Sequence, residues 1–357
     1  MTRTRIFSTI GLAGFMGAAL SCYTGAPVPP HQFESDTTGH DFTWQLDVLG
    51  DGNASFLSDA AILHDTLAYA VGEINVRDTS GAWRNPPYNF AQWNGTRWEV
   101  STTADSGSAY GPAWCVMAFA PDDIWVGSRS PGHWDGRQWT FHGSSRGFTA
   151  RTGLWIRKMW GSSSRDLYAV GDGGLIWHYN GTLWKELASG TTLDFRDVSG
   201  AWNLQTGSWE ILSVASKYGV NDSRKIVMLA GETVTPLLDN YVLASLQGIF
   251  GVPNRYYVVV GNGVYEKKVI EEPVWRNGLL DITSHHINAA RGLGVNDVFA
   301  AGEGGEVLHY NGNTWHSFIN QTRVNATYNT VAVKGDLVIA AGTNGLRGII
   351  TRGRRVR

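Results

Sequence analysis

Apolar and polar positions alternate along this chain in short runs, each cut off by glycine or by a polar turn. Short apolar runs bounded by turn signals are consistent with buried β-strands. Six of the runs end alike: "YAVG" at Gly72, "IWVG" at Gly127, "YAVG" at Gly171, "VVVG" at Gly261, "FAAG" at Gly302 and "IAAG" at Gly342. A seventh, "EILSVASKY", places Val214-Ala215 midway across the long interval between Gly171 and Gly261. After a first interval of 55 residues the anchors follow one another every 40 to 46.

The repeat is clearest over residues 155–187. "WIRKMWG" predicts a first strand, "LYAVG" a second, "LIWHYN" a third and "TLWKEL" a fourth. Asn180-Gly181 joins the last two, and this pair suits a two-residue type I′ turn because both central residues need positive φ. The same ending recurs as "QWNGTRW", "HWDGRQW" and "HYNGNTW", so each repeat closes on a hairpin whose tryptophan opens the outermost strand. Four strands in a period of 40 to 45 residues predict one blade of a β-propeller. Seven repeats predict an all-β, seven-bladed ring. After residue 20 no apolar 3.6-residue periodicity lasts beyond two turns, so helices are not expected.

The seventh repeat is short by one strand. Thirteen residues beyond Gly342, where the outer tryptophan belongs, stands Arg355. Trp44 lies 28 residues before Gly72, and the outer tryptophans Trp98, Trp139, Trp184, Trp275 and Trp315 lie 27 to 32 before the next anchor. The segment near residues 42–49 is therefore expected to complete the last blade and close the ring.

The pattern D-[IL]-[WY]-x-V-G followed by G-x-x-W resembles blades of exported bacterial propellers of the BNR, YVTN and WD-repeat-like group. Kelch-like spacing is echoed by Gly171, Tyr179 and Trp184, without the kelch double glycine. Where sialidase-type repeats carry an aspartate, this chain has Trp93, Trp134, Tyr179 and Tyr310. The resemblance implies the fold and leaves function open, since propellers host enzymes, lectins and scaffolds.

Ahead of the repeats, Arg3 and Arg5 precede an apolar run over residues 6–20 and then Ser21-Cys22. The run is too short to span a bilayer and reads as an export signal. "ALSC" resembles a bacterial lipobox, with Ala19 in the usual place of leucine. The expected organisation is a signal peptide over 1–21, a lipidated Cys22 with a tether over 22–40, and the propeller over 41–357. Tyr23 rather than aspartate follows the cysteine, which by the same resemblance points to the outer membrane of the cell envelope. Cys115, the other cysteine, has no partner left and is expected as a buried free thiol.

Composition narrows the functional classes. A net charge of −2 leaves no electrostatic footprint for nucleic acid. Sixteen tryptophans suit ring-lined blade interfaces. No nucleophile, zinc or phosphate-loop motif occurs, so neither cofactor nor metal is called for. His178 and His309 both precede Tyr-Asn-Gly, a recurrence that predicts a structural role, while His285-His286 stands outside the pattern. "LGDGN" and "GDGG" read as turns, lacking the acidic ladder of a calcium loop.

The first repeat departs most from the others. Gly72 and Trp98 are 26 residues apart, twice the usual 13, which places an insertion between the second and third strands. Its Arg77, Trp83, Arg84, Tyr88 and Phe90, with Tyr110, Arg146 and Arg151 from nearby links, form the candidate binding face, a flap over the central opening. The leading reading is a non-catalytic envelope lipoprotein whose propeller binds a protein or glycan. The alternative is a glycan-active hydrolase or lyase, with acids or histidines converging at the central mouth.

Overall fold

The computed structural model describes residues 37–105, 108–109, 111–220, 223–277 and 282–356. Seven antiparallel four-stranded sheets dominate them. Six follow in chain order over residues 56–101, 115–141, 156–186, 195–237, 246–277 and 287–317, blades 1 to 6. Blade 7 draws three strands from residues 327–355 and its outermost strand, Phe42–Leu49, from the other end of the propeller sequence. Along that seam Phe42 faces Arg355 and Leu49 faces Gly348 in unbroken register. Inner strands of consecutive blades touch in order, and that of blade 7 touches that of blade 1. Both the blade count and the closure expected from Trp44 are thus present.

The anchor glycines have a steric cause. A Cβ at Gly72, Gly171, Gly261, Gly302 or Gly342 would lie 1.9 to 2.0 Å from a carbonyl oxygen at the entrance of the same blade's inner strand. Gly127 instead makes room for the Sγ of Cys115, 2.4 Å from where its Cβ would stand. Cys115 is buried and free, and burial raises its thiol pKa well above the usual range.

The recurring outer tryptophans hold neighbouring blades together. Trp98 Nε1 donates to Asp47 at 3.0 Å, Trp184 Nε1 to His142 Nδ1 at 3.0 Å, Trp275 Nε1 to the Leu238 carbonyl at 3.2 Å and Trp315 Nε1 to Glu266 at 2.8 Å. Each acceptor lies in the preceding blade or one residue past its last strand. Each ring buries about 150 to 250 Å², on the order of 4 to 6 kcal/mol as an upper bound.

Helix is confined, among the described residues, to one turn at Ile319–Thr322 and three 3₁₀ turns. The histidines expected to be structural are so: His178 pairs with Asp166 at 2.8 Å and His309 with Asp297 at 3.0 Å.

Two expectations need correction. Phe90, assigned to the binding face, is 6% exposed and packs between blades 1 and 2 against Tyr69 and Trp139. It sits on the strand Tyr88–Trp93, where Asn89, Phe90 and Ala91 are all buried, because a neighbouring blade covers each face of the sheet. The docked part of the chain also begins before residue 41: Thr38 N donates to the Asn311 carbonyl at 3.1 Å, and His40 Nδ1 lies 2.9 Å from His309 Nδ1. The expected signal peptide, Cys22 and most of the tether lie outside the described residues, as does Tyr110.

Candidate functional site

Six inner strands carry a register irregularity near their start, at Ser58, Arg157, Arg196, Gln247, Asn288 and Asn329. A bulge re-aims a side chain and interrupts the ladder. Together with Trp114, which leads into blade 2, these side chains line a cavity of about 210 Å³ at the mouth of the central channel, one from each blade. Several also fasten the ring. Asn329 Nδ2 donates to the Leu57 carbonyl at 2.7 Å, Asn288 Nδ2 to that of Tyr328 at 2.8 Å, and Ser58 Oγ to that of Ala113 at 2.7 Å.

One side of the mouth is aromatic and cationic. Phe56, Trp114 and Trp155 form an arc, with ring centroids 5.4 and 6.0 Å apart. The Arg157 guanidinium lies 4.4 Å above Trp114, and that of Arg129 lies 4.9 Å from the Trp155 ring. Arg157 is held bidentately by Asp172 at 2.7 and 3.0 Å, and Arg196 by Asp194 at 3.1 Å. Burial lowers the Arg196 pKa, against the neighbouring Asp194. Arg129 is exposed and has no carboxylate partner among the described residues. The indole Nε1 of Trp114 and the amide Nε2 of Gln247 are buried without a hydrogen-bond partner.

Below the mouth two ion pairs cross the channel. Lys158 of blade 3 reaches Asp59 of blade 1 at 2.5 Å, and Arg291 of blade 6 reaches Asp197 of blade 4 at 2.6 Å. Asp59 also accepts from Val116 N of blade 2 at 3.1 Å and Thr330 Oγ1 of blade 7 at 2.8 Å. Asp197 accepts from Ile249 N of blade 5 at 2.9 Å. Asp59 thereby joins blades 7, 1, 2 and 3, and Asp197 joins blades 4, 5 and 6.

The residues expected to form the binding face are dispersed. The insertion makes a hairpin in which Arg77 bridges to Trp83, with its guanidinium 4.1 Å over the ring. Asp51 anchors it by accepting from Arg77 N at 2.8 Å. Arg84 stacks on Tyr88 at 4.3 Å and donates to Thr102 at 3.3 Å. None of these lines the mouth cavity. Arg151 pairs with Glu186 at 2.5 Å, and Arg146 lines a separate groove between blades 2 and 3. The segment that does reach across the upper face comes from blade 4: Tyr218 donates to Glu303 of blade 6 at 3.0 Å and packs against His286 at 5.1 Å.

Sequence reasoning missed the mouth although a signal for it exists. Ser58, Trp114, Arg157, Gln247, Asn288 and Asn329 each stand 13 or 14 residues before their anchor glycine. Their identities differ, so only the interval marks them.

No protein-family model and no curated protein sequence matches the chain. Solved structures do. The chain is similar to YCF48 bound to a D1 peptide, at 15% identity over 88% of this chain and 97% of that one, with a TM-score of 0.64. It is also similar to the WD40 repeats of RRP9, at 11% identity over 89% and 98% with a TM-score of 0.62. The WD40 β-propeller domain of Doa1 matches at 11% identity over 86% and 96%, with a TM-score of 0.60. At these identities the likeness is one of fold.

Proposed function

We propose that the chain is an exported lipoprotein, anchored through Cys22 at the outer membrane, whose propeller binds a protein partner by taking an extended peptide segment across the channel mouth. The observation that carries this reading is the lining of the mouth: amides, a hydroxyl, an indole and guanidiniums, with no carboxylate among the described residues that line it. Aromatic rings and arginine are the residue types enriched at binding hot spots. The acids that meet the mouth's guanidiniums, Asp172 and Asp194, are both held in ion pairs, which supports binding over glycan hydrolysis at the mouth. YCF48, similar in fold, is a propeller solved with a peptide bound.

The test is variant-dependent capture. Wild type and Arg129→Glu, a change at an exposed side chain, are crosslinked in intact envelopes. A partner crosslinked by wild type and reduced at least about tenfold by the variant, or 1.4 kcal/mol, supports the reading. Equal crosslinking by both moves the binding surface off the mouth.

A further inference from the structure

Blades 2 and 3 leave between them a groove of about 420 Å³ that the mouth does not reach. At three other blade interfaces the equivalent place is filled. Between blades 6 and 7, Asp297 and His309 are covered by Arg355, 2.6 Å from Asp297, and by His40. Between blades 5 and 6 the stacked rings of Tyr256 and Tyr310 close it, with centroids 5.1 Å apart. Between blades 3 and 4, Tyr168 donates to the Gly231 carbonyl at 2.9 Å. Between blades 2 and 3 the matching acid and histidine are Asp123 and His133, 2.8 Å apart, but the facing hairpin turn presents only Gly181.

The groove's carboxylates and guanidiniums do not pair with one another. Asp123 accepts from His133 and from Ser164 Oγ at 2.7 Å, and Asp135 accepts from its own turn amides, Arg137 N at 2.9 Å and Gln138 N at 2.8 Å. The guanidiniums of Arg146 and Arg165 have no carboxylate partner among the described residues. The Arg146 side chain donates to Tyr179 OH at 3.3 Å. His142 accepts from Trp184 Nε1 at its Nδ1, which leaves Nε2–H as a donor on the groove wall. Burial, then Arg146 and His133, hold that imidazole neutral down to about pH 4. Because the aspartate sits between serine and histidine, the serine is not activated as a nucleophile.

Two carboxylates and two guanidiniums on one groove discriminate among ligands. A phosphate meets both carboxylates, a cationic side chain meets both guanidiniums, and an apolar segment strips all four of water without replacing the hydrogen bonds. A polyol offers donors and acceptors together. The geometry points to a saccharide-binding site between blades 2 and 3, taking one or two neutral sugar rings against Arg146, Arg165, His133 and the exposed oxygens of Asp123 and Asp135. The volume lies within the range of small-molecule sites.

Saturation-transfer NMR on the full-length protein, solubilised in a detergent without a sugar headgroup, tests this with maltotriose, cellotriose and triacetylchitotriose as probes. Inorganic phosphate and triarginine serve as the competing chemistries. At least one trisaccharide is expected to bind, and Arg165→Ala and Arg146→Ala should each weaken it at least about tenfold. Both side chains are exposed, and unchanged near-ultraviolet circular dichroism confirms that the variants are folded. Arg129→Glu at the mouth should leave sugar binding intact, which separates failure of this site from failure of the peptide site. No trisaccharide bound, or phosphate or triarginine bound in preference at the same residues, overturns the proposal.

Discussion

The guanidinium of Arg291, on blade 6, meets the carboxylate of Asp197, on blade 4, through two hydrogen bonds of 2.6 and 2.7 Å across the central channel. Asp197 is also the acceptor for the blade 5 amide of Ile249, so three blades converge on one side chain. Lys158 and Asp59 do the same for the remaining blades. Removing one member of a buried pair leaves an uncompensated charge. Arg291→Ala is therefore expected to cost about 3 to 5 kcal/mol in urea unfolding, whereas the double change Asp197→Leu with Arg291→Met should cost less than Arg291→Ala alone. Equal losses in both would mean that packing, rather than the charge pair, holds the channel.

Ring closure rests on the strand Phe42–Leu49. Trp44 packs on Phe318 at 4.8 Å, and its ring would lie 2.6 Å from a Cβ at Gly353. Truncation through Leu49 exposes the edge of the strand Gly348–Arg355, while truncation through His40 leaves it covered. The longer truncation should lower the melting temperature more than the shorter one. Gly353→Ala should destabilise in the same direction by displacing the Trp44 ring, and a melting temperature equal to wild type would count against this seam.

Acid should weaken the same seam. His40 is lowered to about 4 by burial, then by His309 and His316 beside it and by Arg355, with Asp41 opposing. Burial also lowers His309, against the pull of Asp297. In the unfolded chain both titrate near the ordinary histidine value of about 6.5, so the unfolded state binds more protons as pH falls. The stability they contribute is present above about pH 6.5 and is lost as pH falls towards 4. The drop in unfolding midpoint between pH 7 and pH 5 should shrink in His40→Phe; an unchanged drop would place the acid sensitivity elsewhere.

Phe90 and Trp83 were expected on one face and are energetically different. Phe90→Ala opens a cavity between blades 1 and 2 and should cost about 3 to 5 kcal/mol. Trp83, stacked on Arg77 in a surface hairpin, should cost far less when replaced by alanine. Comparable losses would show that the hairpin is a packing element of blade 1.

Anchoring is tested independently of the propeller. Two acyl chains give stable membrane attachment where one does not. Cys22→Ser should move the protein from the membrane fraction to the soluble one and abolish labelled fatty-acid uptake. A variant that stays in the membrane, beside a wild type that takes up no label, rejects the lipoprotein.

The repeat length, the strand order within each blade, the seven-fold count and the borrowed strand all follow from local rules that leave marks in sequence. Short apolar runs, the Asn-Gly turn and the steric demand for glycine at Gly171 act within a single hairpin. The site does not arise from such rules. Ser58, Arg157 and Asn329 are far apart in the chain, and only the closure of seven inner strands into a ring sets them around one opening. Phe90 and Trp83 carry the same apolar signature in sequence, and only the packing of blade 2 against blade 1 buries the first. The openness of the blade 2–3 groove is likewise invisible beforehand. It depends on what a neighbouring blade fails to supply, a glycine in a turn where the last blade supplies an arginine.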